Sequence, residues 1–369
     1  MKIKCERGLL LTALSTAARA VSARSTLPAL EGVLLWAEED VSITGYNMET
    51  GITAAVSEAE IIERGGVILP ARILVDIVRK MPDGTLTLSV GDGLMTGIEC
   101  GSARFRVMGM PPEQFPKLPE FNRETCVALE QKLLKSMLGG TLYAVSTGEN
   151  KTVHTGALFD IGGGVLNVVA LDGFRLAMRA QAVETGIGDV KFVAPGQALR
   201  EVEHILTDEG EVNIIIGGRH IMFELNGFTV LSRLLDGEFL DYKKAVPESQ
   251  PISLTADARA LLECIERVSL LVSEKIKNPV KLTCGDGAIN LSLNTPLGSA
   301  SDLCDCEGSG GDMEIGFNHR YLIDALRASV QGGCENITMK FSSPLSPCVM
   351  EPDTEGYRCM VLPVRLKAE

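Results

Sequence analysis

Residues 10–22 read LLTALSTAARAVS, residues 134–146 read LKSMLGGTLYAVS and residues 261–273 read LLECIERVSLLVS. The first, fifth, eighth and twelfth positions of each stretch are apolar, apart from Thr141. This spacing is typical of the buried face of an amphipathic helix, and each stretch ends in Val-Ser. Leu10 and Leu134 are 124 residues apart, and Leu134 and Leu261 are 127 apart. The pattern therefore predicts three copies of one structural unit.

Two further elements recur with nearly the same period. That period is close to 123 residues, which is a third of the 369-residue chain. In each copy an apolar strand ends in Pro or Asn before a second predicted helix, and both residues suit a helix start. Another strand closes each copy. The first set of strands is 67–70, 192–195 and 315–318, with helices from Arg72, Gln197 and Arg320, and the closing strands are 105–108, 228–231 and 357–360.

The intervals between these landmarks alternate apolar and polar residues and are interrupted by turn signals such as Gly162-Gly163-Gly164. We therefore expect an α+β fold in which each copy has two helices packed on antiparallel sheets of about eight short strands. The copies join at the proline-rich segment 110–119 and at 235–247. This predicts three domains, 1–120, 121–247 and 248–369.

Composition favours a folded protein without a membrane span, since 45% of the residues are hydrophobic, 22% are charged, and no apolar stretch approaches about 20 residues. The charged start, Met1 to Arg7, does not resemble a signal peptide, so we expect a cytoplasmic protein. Ten cysteines without a CxxC motif and four scattered histidines lack the spacing of a zinc site or a disulfide framework. We expect free thiols and no metal.

The sequence contains none of the common catalytic motifs GxSxG, GxxxxGK[ST] or HExxH. Gly162-Gly163-Gly164 lies between predicted strands and has no following helix that could hold a phosphate. A duplicated α+β enzyme with an unrecognised site remains the alternative to a protein without catalytic activity. The two classes differ in whether the purified protein converts a substrate on its own.

The formal net charge of −13 argues against a protein that coats nucleic acid through its overall field. Cations nevertheless recur at equivalent positions of the copies, which a solvated helix face would explain for any single residue. If the helices shared one surface, that surface would be cationic on an acidic protein. The recurring positions are Arg72, Gln197 and Arg320, then Arg79, His204 and Arg327 two turns later, and Lys132 with Arg259 on the first helices.

Six ordered stretches spread over the three copies carry a resemblance to a known family. They are Arg24-Ser25-Thr26-Leu27-Pro28, Leu69-Pro70-Ala71-Arg72, Asp172-Gly173-Phe174-Arg175-Leu176-Ala177, Asp236-Gly237-Glu238-Phe239 with Asp241-Tyr242, Met313-Glu314-Ile315-Gly316-Phe317-Asn318, and Leu362-Pro363-Val364-Arg365-Leu366. Over essentially its whole length the chain resembles the bacterial DNA polymerase III beta subunits, the sliding clamps.

The resemblance implies a head-to-tail homodimer in which six domains form a closed pseudo-sixfold ring, with the helices lining the hole. Such a ring encircles double-stranded DNA without sequence specificity, acts as a processivity factor in DNA replication, and performs no catalysis. It uses no cofactor, because ATP belongs to a separate clamp loader complex. Further implied partners are the replicative DNA polymerase III alpha subunit, translesion polymerases, a mismatch-repair protein and ligase, which bind through linear peptides. The implied location is the nucleoid-associated cytoplasm, with no membrane contact.

Three sets of site residues follow. We predict loose phosphate contacts from Arg24, Arg72, Lys132, Arg200, Arg259, Lys275 and Arg320. We predict that the dimer closes between an edge strand at Arg104 and Phe105 and the end of the third copy's first helix at Leu270, Leu271 and Val272. The resemblance implies a peptide pocket lined by His154, Leu171, Gly173, Phe174, Arg175, Leu176, Leu240, Lys244, Ala245, Met360, Leu362, Pro363, Val364 and Arg365.

The pocket's apolar side chains suit an adaptable floor, and Arg175 and Arg365 are expected to bind carbonyls or acidic groups of a docked peptide. This sequence departs from common family forms at four pocket positions. Phe174 stands for histidine, Leu240 for proline and Lys244 for arginine, and His154 replaces an apolar residue. The affinity order among partners therefore does not follow from the resemblance.

Overall fold

The computed structural model describes residues 1–120, 122–123, 125–148, 151–184, 186–247, 249–273 and 278–366. The chain forms two compact units. Unit 1 comprises Met1–Lys132 and His204–Leu234, and unit 2 comprises Leu133–Glu203 and Leu235–Glu369. The second copy of the repeat thus contributes to both units.

In the described part of the chain, the first copy has two helices and nine strands. The helices are α1 (Arg7–Ala17), which continues into a 3-10 turn at Ala18–Ala20, and α2 (Ala71–Lys80). The strands are β1 (Lys2–Glu6), β2 (Gly32–Ala37), β3 (Val41–Tyr46), β4 (Thr50–Val56), β5 (Glu60–Glu63), β6 (Gly65–Pro70), β7 (Thr85–Val90), β8 (Met95–Cys100) and β9 (Ala103–Met108).

The second copy has the eight strands expected, counted over its described residues. Its helices are α3 (Gln131–Gly139), followed by a 3-10 turn at Leu142–Ala144, and α4 (Gly196–Ile205). The strands are β10 (Cys126–Glu130), β11 (Gly156–Gly162), β12 (Val165–Leu171), β13 (Arg175–Ala182), β14 (Val190–Pro195), β15 (Glu211–Ile216), β16 (His220–Leu225) and β17 (Phe228–Arg233). The one-turn helix α5 (Tyr242–Ala245) lies in the following linker.

The third copy differs from the expectation, because its described residues form six strands rather than about eight. Its helices are α6 (Ala258–Val268), with a 3-10 turn at Ser269–Leu271, and α7 (His319–Gln331). The strands are β18 (Ile252–Asp257), β19 (Val280–Thr295), β20 (Gly298–Phe317), β21 (Asn336–Phe341), β22 (Cys348–Pro352) and β23 (Tyr357–Val361).

Two long strands account for that difference. β19 and β20 are 16 and 20 residues long and pair with each other, with register shifts between Cys284 and Ala288. Gly310 lies opposite this irregularity, where a Cβ would lie 2.3 Å from the Cys284 carbonyl oxygen. Gly310 therefore lets β19 and β20 stay continuous through a bend, whereas the other two copies have two separate strands at this point.

The helix predictions are confirmed. Leu10, Leu134 and Leu261, which begin the three stripes, are all buried, and each first helix ends in a 3-10 turn. The second helices begin one residue earlier than predicted, at 71, 196 and 319. The Asn318 side chain accepts a hydrogen bond from the Arg320 N–H at 3.1 Å, which makes it the N-cap of α7.

Each closing strand of the second and third copies extends a sheet of the copy before it. In unit 1, β17 pairs antiparallel with β4 in the order β10-β15-β16-β17-β4-β3-β2-β6, beside a second sheet, β5-β1-β7-β8-β9. In unit 2, β23 pairs with β13 in the order β14-β11-β12-β13-β23-β22-β21-β18-β20-β19. Each unit therefore contains one junction between successive copies. No helix among the described residues is long and apolar enough to cross a membrane.

Candidate functional site

An apolar cluster occupies the junction in unit 2, where β13 meets β23. Leu171 at the end of β12, Leu176 in β13 and Met360 in β23 are buried together with Val153 and Tyr242. Leu176 and Met360 are register partners across the two strands. The alternation of these strands therefore directs apolar side chains from two copies into one cluster.

The turn between β12 and β13 and the chain after β23 form one side of this cluster. The Leu362 N–H donates to the Phe174 carbonyl oxygen at 2.8 Å, and the Val364 N–H donates to the Gly316 carbonyl oxygen at 2.8 Å. Gly173, in the turn before Phe174, has φ +91°, a conformation that favours glycine. The Phe174 side chain is 58% exposed, so the junction presents an open apolar surface.

The linker forms another part of the site. Leu240 is half-exposed, and Ala245 packs against the cluster. The exposed Lys244 ammonium lies 2.9 Å from an Asp241 carboxylate oxygen, and this contact raises the pKa of Lys244 and lowers that of Asp241. His154 meets the Phe239 ring edge-on at 5.6 Å, and burial followed by the Lys151 charge lowers the pKa of the imidazole.

Arg175 has other partners than the peptide groups expected for it. Its Nε donates to Asp172 Oδ2 at 3.0 Å, and its Nη1 donates to Asp324 Oδ2 at 2.6 Å. The guanidinium carbon lies 5.4 Å from the Tyr143 ring centroid and 4.8 Å from that of Tyr321. Arg175 thus links β13 to α7 within unit 2. Arg365 is exposed and forms no ion pair with the described residues, and contact of either arginine with a peptide stays a prediction.

The structure brings together most of the predicted pocket. Sequence reasoning missed Val153, Tyr242 and Phe239 of the cluster and the partners of Arg175, although Phe239 and Tyr242 lie in the stretches quoted above. Six predicted residues lie in the cluster or are hydrogen bonded beside it: Leu171, Phe174, Leu176, Ala245, Met360 and Leu362. His154 contacts Phe239, which packs against the cluster. The other predicted residues lie in the adjoining turn, linker and tail, and they are Gly173, Arg175, Leu240, Lys244, Pro363, Val364 and Arg365.

The recurring cations fall into two groups. Arg79 is paired with Asp76 at 3.1 Å and Arg327 with Glu266 at 2.7 Å. By contrast, the predicted DNA-facing residues that the structure describes are exposed, and Arg200 donates to the Leu142 carbonyl oxygen at 3.5 Å. Those that form no ion pair with described residues are Arg24, Arg72 and Lys132 in unit 1 and Arg259 and Arg320 in unit 2, while Lys275 lies outside the described residues.

A cleft lies at the same place in the first and third copies. In unit 1 it has a volume of 900 Å³, with Val21 and Arg72 in its lining. In unit 2 it has a volume of 570 Å³, with the equivalent Val272 and Arg320. The free cations of the second helices therefore border recessed surfaces.

The predicted dimer residues lie at open positions. β9 pairs only with β8 among the described strands and carries the half-exposed Phe105 next to Arg104. Leu270 is 82% exposed, whereas Leu271 and Val272 are partly buried against the core of the third copy.

The thiols do not form a reactive centre. All ten cysteines are free, eight of them are buried, and burial raises the pKa of Cys5 and Cys284 to about 11. The described residues contain no group of three or more His, Cys, Asp or Glu side chains that could hold a metal ion.

Comparisons with known proteins give one family for the whole chain. Models of the DNA polymerase III beta subunit match residues 1–119 with its N-terminal domain, 128–241 with its central domain and 243–365 with its C-terminal domain. A "Beta sliding clamp" of Staphylococcus aureus is 32% identical over 377 aligned positions, which cover 99% of each chain.

Solved structures agree. A DNA polymerase sliding clamp from Bacillus subtilis is 28% identical, with a TM-score of 0.93 over 100% of both chains. A putative DNA polymerase III beta subunit from Eubacterium rectale is 32% identical, with a TM-score of 0.92 over 99% of both chains.

The repeated fold and these matches define a DNA sliding clamp, a non-catalytic processivity factor that acts in DNA replication. The competing class, a duplicated enzyme, is therefore rejected. The chain belongs to the DNA polymerase III beta subunit family.

Proposed function

We propose that this chain, with domains 1–120, 121–247 and 248–369, works as a head-to-tail homodimer. In the nucleoid-associated cytoplasm it encircles duplex DNA and tethers the replicative DNA polymerase III alpha subunit. Clamp loader, translesion polymerases, a mismatch-repair protein and ligase dock on the same site. The observation that carries the proposal is the apolar junction of β13 and β23, because it is open at Phe174 and bordered by the linker and the tail.

Two strand edges support closure of the dimer. β9 offers Phe105 with Arg104 and Arg106, and its outer edge has no partner among the described strands. Residues 299–305 of β20 pair only with β19 in the described chain, and they carry Asp302 and the exposed Leu303. Cationic and acidic edges of this kind complement each other when the first domain of one protomer meets the third domain of its partner.

Exposed cations without an ion pair in the described part of the chain support loose contact between DNA phosphates and the helices that line the proposed ring. Tight ion pairs with the DNA phosphates would oppose movement along the duplex. A closed ring stays on DNA without such ion pairs. The net charge of −13 then limits binding of nucleic acid to the outside of the ring.

The test is primer extension on primed circular DNA with the cognate clamp loader, ATP and alpha subunit. We expect long products with the wild-type protein and short products without it. Phe174→Ala should shorten the products and weaken alpha binding in surface plasmon resonance, because it removes exposed apolar area at the junction. Met48→Ala is the matched control, since Met48 is similarly exposed in the equivalent turn of the first copy. Equally short products with and without wild-type protein would refute the function. Full alpha affinity in Phe174→Ala would refute peptide binding at the apolar junction of β13 and β23, which we name the peptide groove.

A further inference from the structure

We infer that the buried hydrogen bond between Tyr242 and Asp160 holds the linker helix α5 in place as one wall of the peptide groove. Tyr242 is thus a positioning residue for partner binding. The inference rests on the proposed function of the groove and adds to it a residue that no predicted site included.

The contact joins the linker to β11. The Tyr242 hydroxyl donates to Asp160 Oδ2 at 2.8 Å, and both side chains are buried. The ammonium groups of Lys191 and Lys243 lie 3.2 and 3.9 Å from the same carboxylate oxygen. Because the carboxylate is charged and shielded from water, its hydrogen bond to the phenol is stronger than one between neutral groups.

The linker needs such an anchor. Helix α5 has four residues, and one turn of helix does not persist in water without tertiary contacts. Its own backbone contributes a 3.2 Å bond from the Lys244 N–H to the Asp241 carbonyl oxygen. Leu240 and Ala245 flank the Tyr242 anchor, so their positions at the groove follow from where Tyr242 is held.

The tyrosine ring also belongs to the groove itself. It packs in the same apolar cluster as Leu171, Leu176 and Met360. Burial, followed by the hydrogen bond to Asp160, raises the pKa of Tyr242, so the hydroxyl stays a donor throughout the physiological range. One side chain thus connects a polar anchor to the apolar floor.

The first copy indicates that the junction can be built without this anchor. Trp36 pairs in register with Gly66 in unit 1, and Asp160 pairs in register with Lys191 at the equivalent place in unit 2. Leu118 takes the position of Tyr242, 124 residues earlier, and packs against an apolar cluster with Phe115. The polar pair of Tyr242 and Asp160 therefore occurs at the unit 2 junction, which presents Phe174. The apolar residues Leu118 and Trp36 take these two positions in unit 1.

The experiment compares single variants of the full-length protein for binding to immobilised cognate alpha subunit. Tyr242→Phe keeps the ring and should weaken binding about five- to tenfold, with dimer mass unchanged by light scattering. Tyr46→Phe is the matched control, because Tyr46 is a buried tyrosine of the unit 1 junction whose hydroxyl donates to the Met48 carbonyl oxygen. It should bind like wild type.

Two further measurements separate positioning from loss of stability. Asp160→Asn retains an acceptor for the phenol and should bind better than Asp160→Ala. Hydrogen exchange should accelerate across residues 240–246 in Tyr242→Phe and stay unchanged in β13. Wild-type affinity in Tyr242→Phe, with weakened binding in Phe174→Ala, would overturn the positioning role alone. Wild-type affinity in both variants would overturn the groove and the positioning role together.

Discussion

Replacing Arg175 by alanine tests how much the contacts of this largely buried arginine, within the second domain and to α7 of the third, stabilise unit 2. The Arg175 side chain is 11% exposed, and the variant removes its bonds to Asp172 and Asp324 together with its stacking on two tyrosine rings. The bond to Asp172 contributes most, because the 37% exposure of the Asp324 side chain lets solvent screen the second pair. We expect a loss of about 3–4 kcal/mol in the free energy of unfolding.

Urea denaturation followed by two probes measures this loss. Far-UV circular dichroism reports both units, whereas fluorescence of Trp36, the single tryptophan, reports unit 1. A loss of that size should lower the circular dichroism midpoint by at least about 1 M urea. Arg358→Ala is the matched control in the same unit, since Arg358 pairs with Glu351 but its side chain is 40% exposed. Equal midpoints for the two variants would refute the reasoning, because burial would then not decide the value of the ion pair.

Three more predictions concern assembly, DNA and pH. Leu271→Ala with Val272→Ala should give monomers by light scattering, and an unchanged dimer would remove both from the interface. Arg72→Glu with Arg320→Glu should reduce retention on circular DNA most at low salt and flatten its dependence on salt, because fewer phosphate contacts release fewer counterions, with an unchanged melting temperature; retention equal to wild type at every salt concentration would assign both to a solvated face. The pKa of His154 is lower in the folded protein than in the unfolded chain, so the unfolded chain is protonated first as pH falls. The contribution of His154 to the free energy of unfolding is therefore lost as pH falls below about 6.5. Alpha affinity should decline over the same interval and become independent of pH in His154→Leu, and an identical decline in both proteins would exclude this histidine.

The helices and closing strands could be predicted because their signals are local. An apolar residue at every third or fourth position defines a buried stripe within one helix, and Leu134 or Leu261 needs no distant information to be placed. The long strands β19 and β20 could not be predicted in the same way, because their continuity depends on Gly310 lying opposite Cys284. Nothing in the spacing of these two residues indicates that they meet.

The candidate groove was predictable only as far as the resemblance extended. Its quoted stretches contain Phe174, Tyr242 and Leu362, but they do not indicate what each side chain contacts. Tyr242 meets Asp160, 82 positions away, and Arg175 meets Asp324, 149 positions away. Such pairs are set by tertiary packing, so the two carboxylates that hold Arg175 could not be predicted from the stretch that contains it.

The pairing of β17 with β4 and of β23 with β13 also governs how the chain folds as it leaves the ribosome. Neither sheet is complete when its own copy has been synthesised, because the strand that covers β4 begins at Phe228 and the strand that covers β13 begins at Tyr357. Until then each nascent copy carries an uncovered edge that can pair with another chain. Fragments that stop at 120 or 247 would keep that edge permanently, so cutting the gene at its repeat boundaries should yield aggregating pieces rather than three small soluble proteins.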